Sequence, residues 1–168
     1  MPDRFVPSSE RRRVAADSAR LLPTILFADA SEEYRTMARD ALLEGRTPSA
    51  LRFVANGKEL LDFLHRRGPY EDAIAAPRPA LIVLDLALPQ LAGLDAVRAI
   101  KSDAGMRRIP VIALTPSLDP HDVAAAYDAG VNTYLAKPVT FLALVKLMKV
   151  FTAYWLETAE LPLEEAAA

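Results

Sequence analysis

The stretch Pro79-Ala-Leu-Ile-Val-Leu-Asp85-Leu-Ala-Leu-Pro89-Gln-Leu-Ala-Gly93 decides how the rest of the chain is read. Five apolar residues in succession, Ala80 to Leu84, suit a strand covered on both faces, as in a parallel sheet. The run stops on a carboxylate, Asp85, and a loop closed by Pro89 and Gly93 leads into a helical pattern. In an open α/β sheet, chemistry gathers outside the carboxyl ends of the strands. One Asp at such a place could equally cap a loop, so the other strand ends carry the decision.

They repeat the arrangement. Thr24 to Asp29 is an apolar run ending on a second acid, Ile109 to Thr115 ends on a hydroxyl, and Asn132 to Lys137 ends on an ammonium before Pro138. Leu51 to Ala55 is less uniformly apolar and suits a strand nearer the sheet's edge. Helical signals fill the intervals. Ser31 is an N-cap with Glu32 and Glu33 in the first turn, and Tyr34, Met37, Ala38, Ala41 and Leu42 share one face before Gly45. Asn56 and Glu59 form a capping box ahead of Leu60, Leu61, Phe63 and Leu64. Leu94, Val97 and Ile100 mark a third helix, Asp119-Pro120 opens a fourth that stops at Gly130, and Phe141 to Trp155 is a fifth. Arg66 to Pro79 reads as a long, ordinary connection. Five alternations of strand and helix predict a parallel sheet wrapped on both faces.

Composition agrees and narrows the class. The chain has 168 residues, 52% of them hydrophobic, enough for one domain with a substantial core. No run of about 18 apolar residues is present, so no membrane span is expected. Leu21-Leu22 is too short for a signal peptide's apolar core, and there is no cysteine; a soluble cytoplasmic protein is the expectation. The net charge of −2 divides into a slightly basic start, a balanced middle and an acidic end with Glu157, Glu160, Glu164 and Glu165. No basic face argues for nucleic acid. Residues 1–22, with Arg11-Arg12-Arg13, read as a flexible extension, residues 23–156 as the domain, and residues 157–168 as a C-terminal arm and tail.

Two carboxylates, a hydroxyl and an ammonium at four strand ends suit oxyanion chemistry with a divalent cation. Asp29 and Asp85 can hold Mg²⁺, which usually keeps several waters. Thr115 and Lys137 can contact the oxygens of a phosphoryl group accepted by Asp85, since carboxylates serve as such nucleophiles. Thr115 also has a plain reading as a strand-end hydroxyl, and Tyr134 as a core aromatic. His65 and His121 have no metal-ligand spacing, and Asp119 and Asp122 read as helix-start residues.

With these residues in place, about residues 23–150 resemble the receiver domains of two-component response regulators. The marks are Asp29, the segment Leu84-Asp85-Leu-Ala-Leu-Pro89 with Gly93, Thr115, and Tyr134-Leu-Ala-Lys137-Pro138. The ordered set at these spacings is specific, although each mark alone is not. The resemblance implies a flavodoxin-like (βα)5 fold, a doubly wound five-stranded sheet of order 2-1-3-4-5. It implies that Asp85 takes a phosphoryl group from a sensor histidine kinase, with Mg²⁺ on Asp29, Asp85 and the backbone carbonyl of Ala87. Lys137 would pair with the phosphoryl group, Thr115 would hydrogen-bond it, and Tyr134 would be the switching aromatic. The Lys137–Pro138 peptide would be cis. Beyond its own phosphorylation and dephosphorylation, no enzyme activity is implied.

Two departures stand out. The family usually has two adjacent acids after the first strand, and here they read Ala28-Asp29. The residue after the Thr normally lends a backbone N–H to the phosphoryl group, and here Pro116 has none. Those departures favour an alternative, a degenerate receiver that binds partners without phosphorylation. A phosphatase of the haloacid dehalogenase type would need an Asp where Ala87 stands.

The fifth helix carries a second signal. On a helical wheel, Lys146, Lys149 and Thr152 share one narrow side with Ala153, and the apolar arc is wider than one sheet face needs. This predicts a homodimer with Leu147, Phe151, Tyr154 and Trp155 at its interface. The rival account is that Leu161-Pro162-Leu163 folds back over the helix of its own chain. The ending, and the insertion before Pro79, are similar to stand-alone regulators paired with bacterial phytochromes, which lack an output domain and form homodimers. That likeness implies a bacteriophytochrome as the kinase, while the lack of a basic face and of an apolar span leads to the expectation of no nucleic-acid partner and no membrane partner.

Overall fold

A computed structural model describes residues 22–46 and 49–162. The Arg11-Arg12-Arg13 cluster, the expected extension up to Leu21 and the tail from Leu163 lie outside the described residues. Five strands pair in parallel: β1 (Thr24–Ala28), β2 (Ala50–Val54), β3 (Leu81–Leu84), β4 (Val111–Thr115) and β5 (Thr133–Ala136). Their order is β2-β1-β3-β4-β5, the doubly wound arrangement expected. The helices between them are α1 (Glu32–Glu44), α2 (Gly57–His65), α3 (Gly93–Ser102), α4 (Pro120–Ala129) and α5 (Phe141–Thr152).

Alternation along each strand builds two cores, because successive side chains leave a strand on opposite faces. Leu26, Ala28, Ile82 and Leu84 point to one face, where Leu60 and Phe63 of α2, Val97 and Ile100 of α3 and Ala126 of α4 cover them. Ile25, Phe27, Leu81 and Val83 point to the other, under Ala38 and Leu42 of α1 and Leu144, Met148 and Phe151 of α5. Strands β1, β3 and β4 are buried along their whole length, which is why they read as unbroken apolar runs. The less apolar β2 and β5 form the edges.

Register then places the polar residues. Ala28 pairs with both Val54 and Leu84, so the residues that follow β1 and β3, Asp29 and Asp85, emerge side by side. Thr115 pairs with Ala136, which brings Lys137 to the same edge. The loop after Asp85 needs two glycines. A Cβ on Gly93 would lie 2.5 Å from the Leu86 Cα, and one on Gly57 only 2.2 Å from the Leu91 carbonyl oxygen. Both caps read from the sequence are formed: the Ser31 hydroxyl accepts from the Tyr34 N–H at 3.1 Å, and Asn56 Oδ1 accepts from the Glu59 N–H at 2.8 Å.

Several expectations are corrected. The long connection before Pro79 contains a short 3₁₀ turn, Gly68–Tyr70, with the Tyr70 ring 5.3 Å from that of Phe63. The fifth helix does not continue as an α-helix to Trp155; Ala153–Thr158 form a π-helical turn whose wider spacing seats Leu156 in the core. Phe151 is 3% exposed, because it falls in line with Leu144 and Met148 on the side facing the sheet, so it is a core residue and not a surface anchor. Thr152 is likewise buried, its hydroxyl donating to the Lys149 carbonyl. Leu147 and Trp155 are half-buried against the same core, while Tyr154 is exposed. Leu161 packs partly against this core within its own chain. No cis peptide occurs among the described residues, so the Lys137–Pro138 bond is trans, the default for such a bond.

Candidate functional site

Asp29 leaves the end of β1 and turns at once into α1. Its Oδ1 accepts from the Ser31 N–H at 2.8 Å, and the Arg35 guanidinium donates to its backbone carbonyl at 2.5 Å. The loop is therefore held from both sides, which aims the second oxygen, Oδ2, along the sheet edge. Asp85 is built the same way: its Oδ1 accepts from the Ala87 N–H at 3.0 Å and from the Thr115 hydroxyl at 3.0 Å. Its Oδ2 is left for a cation.

That cation is Lys137, held at the edge by its own backbone N–H, which donates to the Thr115 carbonyl at 2.9 Å. The ammonium lies 2.6 Å from Asp29 Oδ2 and 2.9 Å from Asp85 Oδ2. All three side chains are nearly covered, at 7%, 11% and 13% exposure for Asp29, Asp85 and Lys137. Burial pulls the lysine's pKa down, but the hydrogen bonds and charges of Asp29 and Asp85 outweigh it and hold it above its ordinary value. The group stays an ammonium at neutral pH.

The four strand-end residues singled out in the sequence thus meet at one point. Tyr134 stands apart from them: its hydroxyl donates to the Ser117 carbonyl at 2.8 Å, two residues beyond Thr115, and burial raises its pKa. Pro116 is exposed at the rim. Ala28 is 1% exposed, with its methyl in the core beneath the acids and its carbonyl accepting the Asp85 N–H at 2.9 Å. His65 and His121 are exposed. Asp119 caps α4, and Asp122 accepts from the Ser117 hydroxyl.

One residue beside the site, Tyr34, reads in the sequence only as part of an apolar helix face. The Tyr34 ring centroid lies 3.9 Å from the Lys137 ammonium, and its buried hydroxyl has no hydrogen-bond partner. Burial first, then the charges of Asp29 and Asp85, push that hydroxyl far above the usual tyrosine range, so it is neutral. The signal for it in the sequence is its place in the first turn of the helix capped by Ser31, two residues after Asp29.

The donor set fits a hard divalent cation. Two buried carboxylates share one ammonium, so the cluster retains a negative charge, and their two Oδ2 atoms converge on a single point of positive charge. Among the described residues no group of three or more His, Cys, Asp or Glu side chains could hold a metal, so the remaining ligands would be backbone and water.

A parallel 2-1-3-4-5 sheet with two acids, a hydroxyl and a lysine at its carboxyl edge defines a signalling receiver. Residues 25–149 match the response regulator receiver domain, and the chain belongs to that family, whose members pair with histidine kinases. It is 35% identical over 138 residues to response regulator Rcp1 of Synechocystis sp., covering 82% of this chain and 92% of that protein. The solved Mn²⁺-bound form of Rcp1 superposes with a TM-score of 0.76 at 34% identity, over 84% of this chain and 99% of that one. The phosphorylated cyanobacterial phytochrome response regulator RcpA gives 0.79 at 32% identity. Response regulator RPA3017, in red light signaling of R. palustris, gives 0.80 at 33%. Both comparisons cover 85% of this chain and all of the other. Receiver domains bind divalent metal, and no helix among the described residues is long and apolar enough to cross a membrane.

Proposed function

We propose that this response regulator accepts a phosphoryl group on Asp85 from a sensor kinase's phosphohistidine and signals by protein contact. The observation that carries the reading is the Lys137 ammonium bridging Asp29 and Asp85 while the Thr115 hydroxyl holds the other Asp85 oxygen. A carboxylate oxygen of Asp85 forms the new P–O bond as the P–N bond of phosphohistidine breaks, and the departing imidazole takes up a proton. Asp29, Asp85 and the Ala87 carbonyl would hold Mg²⁺, which supplies charge to the transferring phosphoryl oxygens when bound. Lys137 would shift from the carboxylates to the phosphoryl group, Thr115 would donate to it, and Tyr134 would relay the change through Ser117.

Similarity to RcpA and RPA3017 supports a bacterial phytochrome as the kinase, and hence a cytoplasmic site of action. Residues 23–156 would form the signalling unit and residues 157–168 an arm. The exposed apolar side of α5 supports a homodimer. Ala28 and Pro116 weaken the pocket without dismantling it, because the four central side chains still converge.

Phosphoramidate and Mg²⁺, followed by intact mass, test the reading. One phosphoryl mass is expected on the wild type and none on Asp85→Asn. An unphosphorylated wild type would leave the phosphorylation-independent binding module as the function, and a gain that survives in Asp85→Asn would move the acceptor elsewhere.

A further inference from the structure

We propose that Tyr34 is a positioning residue for Lys137, and that its ring holds the ammonium on the two carboxylates against an incoming divalent cation. The inference rests on the reading of Asp29 and Asp85 as a cation site. Its own observation is separate from that reading: the ammonium has three attractive neighbours within 4 Å, and the third is the face of an aromatic ring.

The physical argument begins with what the ring offers a cation. An aromatic face carries negative charge density, and an ammonium near its centroid is attracted more strongly the less water surrounds it. Here the water is largely gone, since Lys137, Asp29 and Asp85 are almost covered. The ring is also fixed. Tyr34 lies in the first turn of α1, its N–H donates to the Ser31 hydroxyl, and Met37, Ala38 and Leu42 anchor the same helix on the sheet. The ring therefore cannot follow the ammonium far when it moves.

Competition follows from the shared carboxylates. Asp29 and Asp85 would hold a divalent cation through carboxylate groups whose Oδ2 atoms now accept from Lys137. The ammonium must withdraw as the cation enters, because two positive charges at that spacing repel. Whatever favours the bridging position of Lys137 then opposes cation entry by the same amount, which is a linkage between the two occupants. The ring is one such element. Its attraction belongs to the bridging state and is weakened as the ammonium swings toward a phosphoryl oxygen.

The hydroxyl has a different part, which separates it from the ring in the test. It is buried and makes no hydrogen bond, so it contributes nothing to holding Lys137. A phenylalanine would present the same face without an unpartnered oxygen to bury.

Calorimetric titration of the purified chain with MgCl₂ tests this in wild type, Tyr34→Phe, Tyr34→Leu, Lys137→Met and the Tyr34→Leu/Lys137→Met double variant. Tyr34→Leu is expected to bind Mg²⁺ more tightly by a factor of about 2 to 30, the span of a cation–π contact from exposed to desolvated. Tyr34→Phe should titrate as the wild type. In the Lys137→Met background the Tyr34→Leu change should have no effect, since there is no ammonium for the ring to hold. A second readout needs no metal: the Lys137 ε-methylene protons should carry an upfield ring-current shift in wild type and Tyr34→Phe and lose it in Tyr34→Leu.

Equal Mg²⁺ affinity in wild type and Tyr34→Leu, or a gain that persists without Lys137, would overturn the role of Tyr34. A chain that gains mass with phosphoramidate yet shows either result would retain its proposed function and lose only this inference. Failure both to saturate with Mg²⁺ and to gain mass would overturn the two together.

Discussion

The Lys137 ammonium lies 2.6 Å from an oxygen of Asp29, a residue 108 positions earlier in the chain. Neither residue reaches the other through local structure. The contact exists because β1 and β5 both end at the carboxyl edge of one parallel sheet, with β3 and β4 between them. Asp85 and Thr115, at the ends of those inner strands, close the cluster at 2.9 Å and 3.0 Å. Strand register thus assembles the site, and changes in it should be read against both the sheet and the charges it gathers.

Ala28 is the position where charge and packing pull apart. Ala28→Asp adds a carboxylate beside Asp29 and Asp85 and should tighten Mg²⁺ binding. The methyl it replaces is in the core, so the new acid should also lower stability when no metal is present. The expected outcome is a lower melting temperature in EDTA and a larger rise on adding Mg²⁺ than the wild type shows. An unchanged Mg²⁺ titration would mean that the new carboxylate does not reach the cation.

Pro116→Ala restores a backbone N–H at the residue after Thr115. If that N–H reaches the phosphoryl group, the rate of phosphorylation by phosphoramidate should rise. The increase approaches the roughly 10²-fold that one oxyanion donor is worth in other enzymes. Pro116 is exposed, so the fold should not register the change. Equal initial rates by intact mass would show that the donor is supplied elsewhere or not needed.

Lys137 sets a pH dependence whose sign is fixed. Its folded pKa lies above the ordinary 10.5. Its contribution to stability is therefore fully present below that ordinary value, and it is lost only as pH rises through the higher folded one. Lys137→Met should lower the urea midpoint at neutral pH in metal-free buffer, because it leaves two nearly buried carboxylates without their partner. The loss should fall short of the about 3–5 kcal/mol of a fully buried pair, since the site is partly open to water. Wild type and variant should converge only at strongly alkaline pH. Convergence near neutrality would place the lysine's pKa far below the value the two acids impose.

How far the sequence discloses this depends on what each feature rests on. Apolar runs ending on Asp29, Asp85 and Thr115 name both the sheet and its working edge, because burial on two faces leaves no alternation to confuse the reading, and the half-buried edge strand β5 adds Lys137 to it. Ser31 and Asn56 announce their caps through local hydrogen bonds that need no tertiary context. Tyr34 was hidden for the opposite reason. At helical spacing it is indistinguishable from a core aromatic until Lys137 arrives from a distant strand. Phe151 misled in the other direction: an apolar arc shows how much surface must be covered, not which part the sheet covers. The π-helical turn after Thr152 shifts the phase of everything beyond it, which no α-helical wheel anticipates.

That distinction changes where the proposed homodimer should be probed. With Phe151, Leu144 and Met148 turned to the sheet, the side of α5 left to solvent carries Leu142 at 64% and Val150 at 68% exposure, and Tyr154, in the π-helical turn that follows, is 55% exposed. Lys146 and Lys149 lie among them and are exposed as well. These exposed apolar residues flank the two lysines, and a twofold contact would cover them with the same residues from both chains. Leu161 covers part of the neighbouring core from within one chain, yet Val150 and Tyr154 stay exposed beside it. Phe151→Glu is the wrong probe, because emptying that position alone would cost about 3–5 kcal/mol of fold stability. Val150→Glu/Tyr154→Glu reaches these exposed residues and spares the core. Sedimentation should show a wild-type dimer and a double variant shifted to monomer, with circular dichroism and melting temperature close to native. A wild type that sediments as a monomer at high micromolar concentration would end the interface. A double variant that remains dimeric would move it to another face of the molecule.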